Sequence, residues 1–208
     1  MNPITKHQKN GTVEYHQDGI IKKSYQDNVI VISEYNLEGV KLKETFQYKT
    51  TPLGIETTHK QVFKWNIYSC LIEKSEYKND QLHGEQIFYL SEITFTGTER
   101  LIEKISNYRH GKLNGTQTEY QYQDLMRRLI NTKTTQYKDG LKHGEEIQIN
   151  QEGEIYEKIT YKNGIRHGKA YSEEYKEHYY EDGVIVSINS TYNIITRSSY
   201  KRNKQFKS

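Results

Sequence analysis

The chain has 208 residues, a net charge of +3 and only 33% hydrophobic residues, with a mean hydropathy of −0.98. That hydropathy would suit a disordered segment, but the near-neutral balance and 19 tyrosines do not, because tyrosine favours strands and buries its ring while leaving its hydroxyl in water. The small net charge supplies no global field for steering nucleic acid or an anionic membrane. The single Cys70 excludes an internal disulfide framework.

In chain order, the first third (residues 1–65) reads as irregular strands. Residues 15–19 (YHQDG) hold a remnant turn. Residues 28–35 (NVIVISEY), 40–48 (VKLKETFQY) and 57–65 are strand-like, with a turn at Glu38-Gly39 and a loop at 51–54. This region is either diverged repeats or a β cap. The opening stretch has no apolar core, so a signal peptide is not expected, and a cytoplasmic location follows as the default.

From Tyr77 onward a phrase recurs, Tyr-x-(Asn/Asp/His)-Gly-x-x-(His/Asn)-Gly. It reads YKNDQLHG from Tyr77, YRHGKLNG from Tyr108, YKDGLKHG from Tyr137 and YKNGIRHG from Tyr161, with a degraded copy from Tyr180. The spacing of the repeat tyrosines shortens along the chain, which points to loop insertions. Residues 154–161 (EIYEKITY) alternate with period two, the strand pattern. Asn163-Gly164, Asp139-Gly140 and Asp182-Gly183 supply the positive φ of a type I′ hairpin turn. Each copy is therefore two antiparallel strands, and consecutive copies make a meander. Residues 103–108 (EKISNY) are one residue longer than 73–77 (EKSEY), which predicts a β-bulge there.

The second glycine of each copy (Gly84, Gly115, Gly144, Gly168) is expected to seat a repeat tyrosine (Tyr77, Tyr108, Tyr137, Tyr161). No segment sustains helical apolar spacing. The expected fold is all-β, a single-layer curved antiparallel β-sheet, in three parts: residues 1–65, a repeat sheet over 66–196, and a basic tail over 197–208 that is a last edge strand or frayed.

The phrase, followed by a strand and a further tyrosine, resembles the MORN-repeat variant of bacterial proteins, in particular the YwqK-type antitoxins that act as immunity proteins. The match runs over about residues 77–192; it departs at Asn79-Asp80, where the turn glycine is missing, and at Asn114, which replaces the motif histidine. The resemblance implies a protein that neutralises a cognate toxin by stoichiometric binding. A MORN-type scaffold for a protein or membrane surface, and a nucleic-acid-binding sheet, are the alternatives.

No site for chemistry stands out. His83, His143 and His167 share one motif position, but successive copies are separated by strands about 4.8 Å apart, too far to converge on a metal. A structural role at the turn is expected, with no metal and no cofactor. There is no phosphate loop, nucleophile elbow or Cys-x-x-Cys pair, so no catalytic residue is assigned and no enzyme is expected. Tyrosine alternates with basic residues in places, but acidic neighbours dilute every patch except the tail, so nucleic acid and membrane are not the expected partners. What remains is protein recognition by the two inserts, residues 89–100 (YLSEITFTGTER) and 120–128 (YQYQDLMRR). Their candidate contacts are Tyr89, Phe95, Arg100, Tyr120, Tyr122, Arg127 and Arg128; otherwise the inserts are tolerated surface length.

Overall fold

The computed structural model describes residues 4–8, 10–26, 28–50, 55–90, 100–123, 128–173, 176–189 and 194–196. The loop at 51–54, Phe95, Arg127 and the 197–208 tail lie outside the described residues. The fold is all-β, and no helix occurs among the described residues. The chain forms two compact units, Met1–Lys112 and Leu113–Ser208, each considered by itself.

Unit 1 contains β1 (Ile4–Gln8), β2 (Gly11–His16), β3 (Gly19–Gln26), β4 (Val29–Tyr35), β5 (Lys41–Thr50), β6 (Thr57–Trp65), β7 (Leu71–Lys78), β8 (Gln81–Tyr89) and β9 (Ile102–Arg109). Each pairs antiparallel with the next. The boundary between units falls in the short β10 (Lys112–Leu113). Unit 2 contains β11 (Gly115–Tyr122), β12 (Leu129–Lys138), β13 (Leu141–Asn150), β14 (Ile155–Lys162), β15 (Ile165–Arg166), β16 (Gly168–Ser172), β17 (Lys176–Glu181), β18 (Val184–Asn189) and β19 (Ile194–Thr196). Unit 2 is likewise an antiparallel meander, with β15 and β16 acting as one interrupted strand opposite β14. Residues 4–65 thus build hairpins of the same kind as the regular copies.

The motif turns have the geometry their sequence demands. Both central residues of Asp139-Gly140, Asn163-Gly164 and Asp182-Gly183 have positive φ, the condition for a type I′ turn. Asn79-Asp80 makes the same turn without glycine, with Asp80 at φ 61°. Ties to β6 offset that strain: Asn79 donates its N–H to Thr58 (2.8 Å) and accepts from the Thr58 N–H at Oδ1 (3.0 Å). The turns are also tied to each other within each unit. Gly111 donates to the Leu82 carbonyl, Gly140 to Leu113, Gly164 to Lys142 and Gly183 to Arg166, at 2.8 to 2.9 Å.

The second glycine has a different reason from the expected one. Register does place Gly84 opposite Tyr108, Gly144 opposite Tyr161 and Gly168 opposite Tyr180. However, the space a β-carbon would take at Gly84 and Gly144 belongs to Glu76 and Gln136, the residues just before the repeat tyrosines, rather than to a ring. At Gly168 the nearest such atom is Thr160 Cβ at 4.0 Å. Gly84 and Gly144 each lie in a bulge where three residues face one: His83–Glu85 against Glu76, and His143–Glu145 against Gln136. Their φ values, +102° at Gly84 and +106° at Gly144, are ones that a β-carbon resists.

The bulge expected in residues 103–108 is present, with Glu103 left unpaired between Ile102 and Lys104. It is not special to that copy. Leu42, Ile72, Ile130 and Tyr156 are skipped in the same way, each the second residue of a strand that follows a loop. The skipped residue is therefore common to the repeat. From Ile72 to Tyr77 and from Glu103 to Tyr108 the strands run equally far, so the bulge does not arise from the length difference between EKISNY and EKSEY.

The core is a row rather than a volume. In unit 1, Thr45, Val62, Ser75, Gln86 and Ser106 are cross-strand partners in succession and all are buried. In unit 2, Thr135, Glu146 and Ile159 form the equivalent row. Ile159, Tyr161, Ala170 and Tyr180 make the apolar cluster. Long side chains cover the row: the Lys142 ammonium lies 4.8 Å from the Tyr161 ring centroid, and the Arg166 guanidinium 5.5 Å from that of Tyr180. A row of small and polar residues under tyrosine and lysine stems explains how so polar a chain folds.

Candidate functional site

Successive hairpin connections alternate between the two ends of an antiparallel meander. In unit 1 the motif turn 79–80 lies at one end, and loops 36–40, 66–70 and 90–101 leave the other. Loops 36–40 and 66–70 are built alike. Asn36 Oδ1 accepts the Val40 N–H at 2.8 Å, and Asn66 Oδ1 accepts those of Tyr68 and Cys70 at 3.0 Å. The backbone closes each loop, Asn36 N–H donating to the Val40 carbonyl and Asn66 N–H to that of Cys70. The fourth residue takes positive φ, 83° at Gly39 and 62° at Ser69. These are side-chain-templated turns, stiff for their length.

Each tip exposes large apolar side chains, beside the exposed Glu38 in loop 36–40. Leu37 is 69% exposed, Ile67 62% and Tyr68 65%. Loop 150–154 of unit 2 has the same bonds through Asn150, yet its tip is Gln151 and Glu152. The fold therefore does not require an apolar tip. Behind the unit 1 tips lies an aromatic cluster: Trp65 stacks on Phe63 (centroids 6.3 Å), Phe63 meets Phe46 edge-on (5.9 Å), and the Lys41 ammonium sits 5.6 Å from the Trp65 ring. Lys41 and Trp65 border loops 36–40 and 66–70, so this contact braces one loop against the other. A hydrogen bond to Glu44 holds the Lys41 amine above its ordinary range.

The candidate contacts divide between the units. Tyr89 ends β8 opposite Ile102, and the Leu90 N–H to Leu101 carbonyl bond (3.0 Å) closes the base of the first insert; Arg100 is exposed. The insert leaves the same end as Leu37, Ile67 and Tyr68. In unit 2, Tyr120 and Tyr122 share a face of β11, opposite Thr132 and Leu129. Burial, then the neighbouring Tyr120, pushes the Tyr122 hydroxyl pKa up. Gln123 N–H to the Arg128 carbonyl (2.9 Å) closes that insert, and Arg128 is exposed. The residues that sequence reasoning missed are Leu37, Trp65, Ile67 and Tyr68. Lining up NLEGV, NIYSC and NQEGE would have shown one loop with two kinds of tip.

The rest of the described surface offers less. His143 Nδ1 lies 3.1 Å from Asn163 Oδ1 of the following turn, a structural contact. Among the described residues no three His, Cys, Asp or Glu side chains are placed to share a metal ion. An open groove of about 430 Å³ in unit 2 is lined by Glu145, Lys158, Lys169, Glu177 and apolar neighbours, but its charges already pair as Lys158–Glu145 (2.7 Å) and Lys169–Glu177 (2.5 Å). No helix of the described residues is long and apolar enough to cross a membrane. Compared with known protein families and with curated proteins, the chain matches none of either.

Proposed function

We propose that this chain is an immunity protein of the MORN-variant, YwqK-like kind, which neutralises a cognate bacterial toxin by binding it stoichiometrically and without turnover. The contact surface is the loop end of unit 1: Leu37, Ile67 and Tyr68, with Tyr89 and Arg100 at the base of the first insert. The observation that carries this reading is the pair of stiff, like-built loops that hold Leu37 and Ile67-Tyr68 exposed at their tips, where the like-built loop 150–154 of unit 2 carries Gln151 and Glu152. Exposed large apolar groups on a pre-ordered scaffold lose little entropy on docking, and aromatic residues dominate interface energies. A binding role also fits a fold whose buried row is satisfied within itself.

The test is genetic and biochemical together. The product of the gene neighbouring this one is expressed with and without this chain. Growth rescue together with co-purification of the two proteins supports the reading, and a harmless neighbour that does not bind removes it. A MORN-type scaffold would instead bind a partner whose expression alone does no harm.

A further inference from the structure

The motif-turn end of unit 1 has a different chemistry from its loop end. Register pairs His59 with Lys78 across β6 and β7, and His59 stacks on Tyr48 with ring centroids 5.0 Å apart. The next motif turn follows Arg109 and contains His110, whose ring meets His83 edge-on at 5.1 Å. Arg109 and His110 are exposed, and His59, Lys78 and His83 are half-buried.

Elsewhere in unit 1 several lysines are matched to carboxylates, and Lys6, Lys22, Lys23 and Lys104 lie over aromatic rings. Lys41 pairs with Glu44, Lys43 with Glu34, Lys60 with Asp80 and Lys64 with Glu73. Among the described residues, Lys78, His83, Arg109 and His110 have no carboxylate partner. The Nδ1 of His83 is buried without a hydrogen-bond partner. After burial itself, the charges of His110, Lys78, Arg109 and His59 hold the His83 imidazole below its ordinary pKa. A fold that leaves like charges unneutralised accepts self-repulsion, which an arriving anion relieves.

We propose that this end of unit 1 is a docking surface for an acidic segment of a partner protein, with Lys78, Arg109, His83 and His110 receiving its carboxylates. The two turns, 79–80 and 110–111, are two strands apart, about 10 Å. That spacing falls between those of side chains two and four residues apart on one face of an extended segment, about 7 and 13 Å, within reach of the long Lys78 and Arg109 side chains. Asp80 and Glu76 border the cations, Asp80 held by Lys60 and Glu76 accepting the Glu85 N–H (3.3 Å). A continuous phosphate backbone would run into these carboxylates, whereas discrete carboxylates need not. This surface is independent of the immunity reading and lies at the opposite end of unit 1 from the apolar tips.

The test uses the full chain and a fluorescein-labelled octaglutamate peptide, followed by anisotropy at low salt. Burial and the neighbouring cations hold His83 below its ordinary pKa, and an arriving carboxylate offsets that repulsion. His83 therefore takes up a proton as the peptide binds, and affinity is expected to be several-fold higher near pH 6 than near pH 8. Arg109→Ala combined with Lys78→Ala is expected to weaken binding by about tenfold, without lowering the melting temperature, because the repulsion is relieved. Ile67→Asp leaves peptide binding unchanged, which separates this surface from the toxin-binding one. No measurable binding, or equal affinity in the double variant, overturns the proposal. Tighter binding of a single-stranded oligonucleotide at the same salt overturns the choice of partner.

Discussion

The side-chain amide of Gln136 occupies the space that a β-carbon on Gly144 would need, and its Oε1 accepts the N–H of Glu145 at 3.0 Å. Glu76 stands in the same relation to Gly84. The bulge and the glycine are one device: the extra residues free an N–H, and the polar side chain folds over the glycine to satisfy it. Gly144→Ala is therefore expected to cost about 2–4 kcal/mol, positive-φ strain plus the collision. Gly39→Ala, at φ +83° with nothing within 4 Å, should cost only about 1 kcal/mol. Adding Gln136→Ala to Gly144→Ala should recover part of the loss. Urea denaturation compares them, and equal losses at Gly39 and Gly144 would exclude the collision.

Glu146 is the most heavily engaged carboxylate of unit 2. Lys142 pairs with it, Lys133 approaches at 3.6 Å, and the Thr135 and Tyr161 hydroxyls donate to it at 3.0 and 3.4 Å. Glu146→Gln keeps the shape but removes the charge from a buried site facing two lysines. A loss of about 2–4 kcal/mol is expected by thermal or urea denaturation; a loss no larger than that of an exposed pair such as Lys49–Glu56 would show the network to be incidental.

The same residue sets an acid limit. Burial alone would raise the pKa of Glu146, but Lys142, Lys133 and Thr135 outweigh it and hold it below the ordinary carboxylate range. Burial likewise opposes, and Lys64, Ser75 and Gln86 outweigh it, at Glu73. Both folded-state values are depressed, so their stabilisation is complete above the unfolded-state value of about 4.3 and is lost as pH falls through the folded-state values. Stability measured in urea is expected to decline below about pH 4, and less steeply in Glu146→Gln.

Asn66 and Asn150 template loops of the same geometry, each accepting two backbone N–H groups. Replacing either by alanine is expected to cost about 1–2 kcal/mol, since the hydrogen bonds are solvent-accessible. Asn66→Ala should also loosen the Ile67–Tyr68 tip, and amide hydrogen exchange at Tyr68 and Cys70 reads this directly. Unchanged exchange would mean that the loop does not depend on Asn66.

Much of the scaffold was legible from residue chemistry. Asn163-Gly164 announces its turn because few residues tolerate positive φ, and EIYEKITY announces a strand by its alternation. The second glycine misled because a glycine within a strand has several uses. Only the register reveals that His143–Glu145 face the single Gln136. A bulge does lie at Glu103, where the length difference predicts one, but Ile72 is skipped in the shorter copy too, so that difference is not its cause. The skipped Leu42, Ile130 and Tyr156 leave no mark in composition. The apolar tips were hidden for a related reason: Ser69 stands where Gly39 and Gly153 stand, so the Asn66 loop lacks the glycine that makes its two counterparts recognisable.

The most direct measurement is calorimetric titration of the neighbouring gene's product with wild-type protein and with Ile67→Asp and Tyr68→Ala. A one-to-one complex is expected, which each substitution weakens by at least about tenfold, the scale of a central aromatic or aliphatic anchor, at unchanged melting temperature. A complex of undiminished affinity in both variants would contradict the loop end of unit 1 as the binding surface, and no complex with the wild-type protein would contradict the immunity function itself.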